Sequence, residues 1–503
     1  METNVLAWLE KTAERLPEKI AYQSEEGAIT FRQTLEKARS IGAALASRDL
    51  GANPVAVMLD KQVDTIPAFL GVVYSGRAYA PIDASLPDAR IQTILSTLNP
   101  SALLTNASNQ EKAARCLSSE APLLLVQDMY GEEDFSCLES IRRTMLETDP
   151  LYIIFTSGSS GTPKGVVTSH HALMCYIRDY AEMMDIREED RLGNQSPLDY
   201  IAAIRDIYLP LDRGCSTYLI AKTAFMQADR LVDILNKQKI TALGWSVSAL
   251  TVLTSLGVPE DYTPKTIRKI CFSGSVMPGA VLRKWQLGMP QTCFVNQYGP
   301  TEATASCTYY RVDHLVEENE TIPIGIPYSH YRILLLNEKG EEPAPGEEGE
   351  ICVSGPCLAL GYWGNPDRTK RDFIQNPLNQ HYDERIYRTG DIGRWGADGS
   401  LEFHGRKDRQ IKHMGHRVEL DEIESAALAL PKVKTCAVIY DAVKEVLHLF
   451  YTGDASTREI ALGLRMTLPG FMIPRKMHCL EEIPTLPNGK TDMGRLKKMA
   501  ETA

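Results

Sequence analysis

Short apolar runs alternate with helical patterns through the first half of the chain. Pro54-Val-Ala-Val-Met-Leu59, Ala102-Leu-Leu-Thr105, Leu123-Leu-Leu-Val126 and Ser216-Thr-Tyr-Leu-Ile220 have the length and character of buried strands. Strands of this kind separated by helices predict parallel sheets, and so an α/β architecture. The opening segment, Met1 to Lys11, reads as an amphipathic helix. Near Glu347–Val353 the pattern changes to glycine and β-branched residues, which predicts a more β-rich region. Further on, the basic run Gly405–Lys412 leads into Val418–Leu428, read as a capped amphipathic helix. Strands at Val433–Tyr440 and Val446–Tyr451 follow, making a compact α+β piece at the C-terminal end.

At 503 residues the chain exceeds what one hydrophobic core usually holds, so two or more domains are expected. The net charge of −11 argues against non-specific binding to nucleic acid or anionic membranes. No apolar run approaches a membrane span, and the N-terminus lacks the pattern of a signal peptide. Eleven cysteines are scattered with no C-x-x-C pair, which weakens metal and disulfide-framework readings. Reduced thiols in a cytoplasmic protein are the expectation.

The chemistry concentrates in Tyr152-Ile-Ile-Phe-Thr-Ser-Gly-Ser-Ser-Gly-Thr-Pro-Lys-Gly-Val166. An apolar β-branched run breaks into a loop of glycines and hydroxyls carrying one lysine. Such a loop offers backbone N–H groups, hydroxyls and a cation to a polyphosphate. It is not a Walker A loop, because Pro163 precedes Lys164 and Gly165 follows it, leaving no adjacent hydroxyl for magnesium. Composition alone also fits a flexible solvated loop. Three further segments decide between the two: Asn296-Gln-Tyr-Gly-Pro-Thr-Glu-Ala-Thr304; Tyr387-Arg-Thr-Gly-Asp391 with Gly405-Arg-Lys-Asp-Arg-Gln-Ile-Lys412; and Leu486-Pro-Asn-Gly-Lys-Thr-Asp492.

In this order the segments closely resemble the adenylate-forming enzymes, the acyl- and aryl-CoA synthetases, luciferases and peptide-synthetase adenylation domains. The resemblance runs from about Thr30-Phe31 to Asp492. It implies a large N-terminal domain of parallel-rich sheets flanked by helices, with a small β-rich subdomain, over residues 1–407. A small mobile α+β domain would follow over 408–503, hinged near Asp408. The implied reaction is attack by a carboxylate on the α-phosphate of ATP, releasing pyrophosphate and leaving an acyl-adenylate. Both reactants are anions, so charge neutralisation and alignment carry the catalysis. No Ser-His-Asp constellation is needed.

The resemblance also assigns roles. The loop Thr156, Ser157, Gly158, Ser159, Ser160, Gly161, Thr162 and Lys164 would hold the β- and γ-phosphates. In Gln297-Tyr298-Gly299-Pro300-Thr301-Glu302, the tyrosine would stack on adenine, the threonine touch phosphate and the glutamate bind Mg2+. Asp391 would accept the ribose hydroxyls. Arg406 would make a second ribose or phosphate contact, its alternative being a surface arginine. Lys490, on an Asn-Gly turn, would bridge the substrate carboxylate and the adenylate oxygens. It would serve adenylation and not thioester formation, with the small domain rotating between the two steps.

The acid substrate is less legible. Peptide-synthetase domains bind the substrate ammonium with an aspartate at a position that here is Ile201. The nearest carboxylate, Asp199, either serves a differently placed amine or caps the helix Ile201–Leu211. Arg205 falls on the apolar face of that helix. It would bind an anionic or carbonyl group of the substrate, or pair with Asp199. The remaining pocket positions are Ala202, Gly244, Cys271, Ser273, Gln297, Ala305 and Ser306, small or polar, which favours a small to medium polar acid. The leading expectation is an enzyme that activates an amino acid or similar acid and loads a phosphopantetheine carrier. No carrier-type serine motif follows Lys490, so the carrier is expected as a separate chain. The alternative is an acyl- or aryl-CoA synthetase of the same fold.

Overall fold

The computed structural model describes residues 2–131, 135–158, 162–442, 444–486 and 491–502. Two large sheets organise the chain before Asp408 together with a smaller β-rich one. A seven-stranded sheet runs Gly361–Tyr362, Lys164–Ser169, Pro150–Thr156, Tyr79–Pro81, Val55–Met58, Ala102–Thr105, Leu123–Leu125. Its last five strands pair in parallel. A nine-stranded sheet centres on Cys293–Tyr298, Lys269–Ser273, Ala242–Ser246, Arg191–Asn194 and Ser216–Leu219, again parallel. The four apolar runs picked out in the sequence all fall in these sheets, because residues buried on both faces need no polar alternation.

The helices cover the sheets with apolar stripes. Val5–Arg15 buries Val5, Leu6, Trp8 and Leu9, and Thr12 Oγ1 donates to Leu211 O at 2.7 Å. Phe31–Ala46 starts in a capping box between Thr30 and Gln33. The β-rich region is an antiparallel five-stranded sheet built around Gly349–Ser354 and Arg385–Trp395.

Beyond Asp408 the chain forms a two-stranded hairpin, Gln410–His413 with His416–Glu419, and a three-stranded sheet, Val433–Asp441, Val446–Gly453 and Lys476–Cys479. Val418, Ile423, Val438, Leu449, Tyr451 and Ile460 share a core of their own. One boundary differs from the sequence expectation: Val418 lies in the hairpin and the helix spans Leu420–Leu428. No side chain caps its start. Among the described residues no helix is long and apolar enough to cross a membrane.

Candidate active site

The glycine-rich loop joins two antiparallel strands, Pro150–Thr156 and Lys164–Ser169, with Thr156 opposite Lys164. It is thus a hairpin loop with no helix at the lysine. Ser159, Ser160 and Gly161 lie outside the described residues. Thr162 is exposed, and the Ser157 hydroxyl donates to Arg417 O. Lys164 begins its strand facing inward, and that orientation decides its partner.

Lys164 Nζ lies 2.6 Å from Glu302 Oε1 and 4.8 Å from the centre of the Tyr362 ring. Glu302 sits on the single turn Thr301–Ala303 that follows the strand Cys293–Tyr298. Its carboxylate is fully buried. It also accepts from Arg417 Nη1 at 2.9 and 3.1 Å and from the Tyr362 hydroxyl at 2.8 Å. Burial alone would push this carboxyl up. The Arg417 and Lys164 cations outweigh it and hold Glu302 well below the usual carboxylate range. One carboxylate therefore faces two cations. Of these only Lys164 can give up its proton, and burial with the Arg417 charge pushes it down to about 8 against the pull of Glu302.

This arrangement bears on Mg2+. The ion takes oxygen ligands and is commonly held by one or two carboxylates together with substrate phosphates. Glu302 is a donor of that kind. Among the described residues no group of three His, Cys, Asp or Glu side chains converges on a metal position. Glu302 therefore fits Mg2+ only with phosphates present and with Arg417 and Lys164 withdrawn from its oxygens. Arg417 itself carried no expectation from the sequence, since nothing in His416-Arg-Val-Glu419 distinguishes it from a surface arginine.

A second network holds the expected ribose residues. The buried Tyr298 hydroxyl donates to one oxygen of Asp391, and Arg406 Nη1 donates to the other. Arg406 then reaches Asp408 through Nε at 2.6 Å and Nη2 at 2.9 Å, and Asp408 accepts from Gln410 N. Arg406 is thus no surface arginine: it ties Asp391 to the proposed hinge residue. Gly299, just after Tyr298, packs so closely that a Cβ would stand 2.4 Å from Ser306 Cα.

Between these networks and the nine-stranded sheet lies a cavity of about 60 Å³. Ile201, Ala202, Arg205, Ser273, Ala305 and Ser306 line it, as the sequence led one to expect. Gly244, Cys271 and Gln297 stand behind Arg205, where Gly244 O accepts from Nη2 at 2.6 Å and Gln297 Oε1 from Nη1 at 3.3 Å. The hairpin after Asp408 closes the cavity, contributing Lys412, Met414, Gly415 and His416. Met414 and Gly415 both have positive φ, the two-residue turn that joins tightly twisted strands. A Cβ at Gly415 would lie 3.1 Å from Ser246, so the tip needs glycine to approach. The Tyr200 hydroxyl donates to Gly415 O, and His416 stacks on Phe471 at 3.8 Å. Lys412 and His416 were not among the expected site residues. The only signal for Lys412 was its place at the end of the basic run.

Asp199 takes neither of its expected roles. Its side chain does not line the cavity, and Tyr200, not Asp199, stands at the N-cap of the turn Ile201–Ala203, which has no side-chain cap. Burial and the neighbouring Asp83 carboxylate push Asp199 up to about 7. It does not pair with Arg205 either. Lys490 lies outside the described residues, while Thr485 and Thr491 on either side of it bridge to one another.

Fold and site together define an adenylate-forming architecture, and the comparisons agree. Residues 9–363 match the AMP-binding enzymes, and the chain belongs to that family. It is 31% identical over 497 residues to Tyrocidine synthase 2 of Brevibacillus parabrevis. That match covers 97% of this chain and 13% of the synthase. Among solved structures, holo-PA1221, an NRPS protein containing adenylation and PCP domains, superposes with a TM-score of 0.83. It has 25% identity and covers 99% of this chain and 84% of that one. The Vibrio cholerae adenylation domain AlmE, in complex with glycyl-adenosine-5′-phosphate, shares the fold with a TM-score of 0.86. Identity there is 21%, over 100% of this chain and 98% of that one.

Proposed function

We propose that this protein converts an amino acid or amino-acid-like carboxylic acid to its acyl-AMP and passes the acyl group to a phosphopantetheine thiol on a separate carrier chain. One observation carries the reading. Lys164, Glu302, Tyr298, Asp391 and Arg406, drawn from three distant segments, meet in two networks beside a polar cavity. Surface loops that merely shared a composition would have no reason to converge.

The chemistry follows from charge. Carboxylate and ATP repel, and Lys164, Arg417 and Arg406 supply fixed positive charge where the two must meet. Mg2+, held by Glu302 and the phosphates, would neutralise further charge on the triphosphate. Asp391 would exchange its Tyr298 and Arg406 partners for ribose hydroxyls. Lys490 is assigned to the approach of the two reacting anions. Residues 408–503 act as the moving part about Asp408. The hairpin Gln410–Glu419 supports this, because it fills the cavity mouth through a few polar contacts: Tyr200 to Gly415, Ser157 to Arg417, and Arg417 to Glu302. Such contacts can be exchanged during a cycle that admits first ATP and then a thiol. The cytoplasm suits a protein with free thiols and ATP as substrate.

Acid-dependent ATP–pyrophosphate exchange over α-amino, β-amino, aryl and dicarboxylic acids tests the first half-reaction. Carrier loading against CoA acylation with the preferred acid tests the second. Production of ADP in place of AMP would defeat the proposal.

A further inference from the structure

The floor of the cavity holds a buried cation with no carboxylate bonded to it. Arg205 is 2% exposed, and among the described residues no Asp or Glu forms an ion pair with it. Its two protein acceptors, Gly244 O and Gln297 Oε1, are both neutral, and the Tyr180 ring lies 5.6 Å from the guanidinium carbon. A guanidinium has five N–H donors, and Arg205 Nε is buried with no hydrogen-bond partner. The buried Tyr176 hydroxyl lies close to Arg205 and Ser306 and is not part of the cavity lining. Arg205 thus stands on the cavity lining as a buried cation whose protein acceptors are neutral, a position that an incoming anion would complete.

The nearest acidic group does not answer the need. Asp206 turns its carboxylate to Asn194, whose Nδ2 donates to it at 2.8 Å. It offsets charge through space for Arg205 and for Lys61, whose Nζ donates to the carbonyls of Asn194, Gln195 and Ile220. Two basic groups therefore surround one acid, and burial pushes the Lys61 amine down to about 7. The space for the guanidinium is also built for it: a Cβ on Gly244 would stand 2.5 Å from Arg205 Nε. Any larger residue there would evict the arginine.

We propose that Arg205 is the specificity-determining residue, and that the acid taken by this cavity is short and carries a second carboxylate. One carboxylate, at the mouth, becomes the acyl-phosphate anhydride. The other is held on the floor by the Arg205 guanidinium. The absence of a carboxylate at Ile201 fits the same occupant, since the cavity then offers its recognition charge to an anion. The hairpin tip, Met414 and Gly415, closes over Arg205 and Ile201, which favours a short acid. This assignment rests on the activation reading above and names its substrate class.

Matched pairs test it: succinate against succinamate, aspartate against asparagine, glutarate against butyrate, in pyrophosphate exchange with the wild-type protein. The diacid of the productive length is expected to exceed its neutral partner at least thirtyfold in kcat/KM, because a site that bonds a charged group rejects the analogue lacking it. Arg205→Met should remove that preference and raise turnover of the neutral acid, a gain that misfolding does not produce. Arg205→Lys should keep part of it. Equal exchange of diacid and neutral partner, or exchange with monocarboxylic acids alone, overturns the Arg205 assignment while leaving acid activation standing. No exchange with any acid overturns activation itself. In that case calorimetric titration of wild type and Arg205→Met with succinate and aspartate decides the assignment: binding by the wild type alone supports it, and equal binding or none refutes it.

Discussion

Glu302→Gln is the perturbation whose outcome the geometry defines most sharply. The substitution keeps the shape of the side chain and removes its charge, leaving Lys164 and Arg417 facing each other around a neutral amide. Lys164 already sits near 8 with its counterion in place, so without it the amine deprotonates at neutral pH and escapes most of the cost. Arg417 cannot escape in this way. An uncompensated buried charge costs about 3–5 kcal/mol. Arg417 belongs to the hairpin Gln410–Glu419, so the cheapest relief is for that hairpin to leave the cavity. The loss should appear there and much less in the sheets beneath.

Hydrogen–deuterium exchange measures this. Without nucleotide, amides of His416–Glu419 should exchange faster in Glu302→Gln by roughly two to four decades, the equivalent of that energy. The seven-stranded sheet should change little. Arg417→Met alone should also loosen the hairpin. The double variant should be less damaged than the sum of the two, with a coupling of roughly 1–3 kcal/mol. Added ATP and Mg2+ should compete for Glu302 and speed hairpin exchange in the wild type. Strict additivity in the double variant, or unchanged protection of His416–Glu419 in Glu302→Gln, would refute the reasoning.

Three further outcomes follow from the same site. Lys490→Ala should abolish most pyrophosphate exchange and leave thiol acylation from a pre-made acyl-adenylate nearly intact; equal rates for variant and wild type in exchange remove Lys490 from the site. Asp408→Pro, which fixes φ and breaks the Arg406 contacts, should let free or hydrolysed adenylate build up as carrier loading falls; equal loss in both half-reactions makes Asp408 structural instead. Asp199, raised from its ordinary 3.8 to about 7, keeps in the folded state a proton that the unfolded chain releases above about pH 4, so its contribution to stability is present below that pH and lost by about pH 7. Asp199→Asn should flatten that fall and stabilise the protein at pH 8, by at most about 4 kcal/mol and about half that where solvent reaches the carboxylate; a denaturation series from pH 4 to 8 with an unchanged slope denies the shift.

The strands were legible because double-sided burial leaves a local mark: Val55–Met58 and Ala102–Thr105 read as apolar runs whatever their neighbours. The motif residues were legible for another reason. Glycine, proline and charged side chains are costly within a sheet-and-helix scaffold, so their ordered clusters stand out. What escaped was pairing. That Glu302 bonds Arg417 across 115 residues is a property of the hairpin's position, and nothing adjacent to either residue encodes it. The same holds for Asp199, which reads as a helix cap or an amine ligand from its neighbours. Its environment is set instead by Asp83, on a loop more than a hundred residues away.

Charge accounting ties these misses together. At Glu302 two cations share one carboxylate, and at the cavity floor Arg205 bonds only neutral acceptors, while burial pushes the nearby Lys61 amine down to about 7. Surplus charge of one sign destabilises a buried site unless something of the other sign enters it. Arg205 lines the cavity and the Glu302 cluster lies outside its lining, a separation that suits a reaction bringing two anions together. The Glu302 cluster is proposed to take the triphosphate. By the same logic Arg205 needs an anion of its own. The substrate's distal group is then the remaining source, and its charge is what Arg205 was left unpaired to meet.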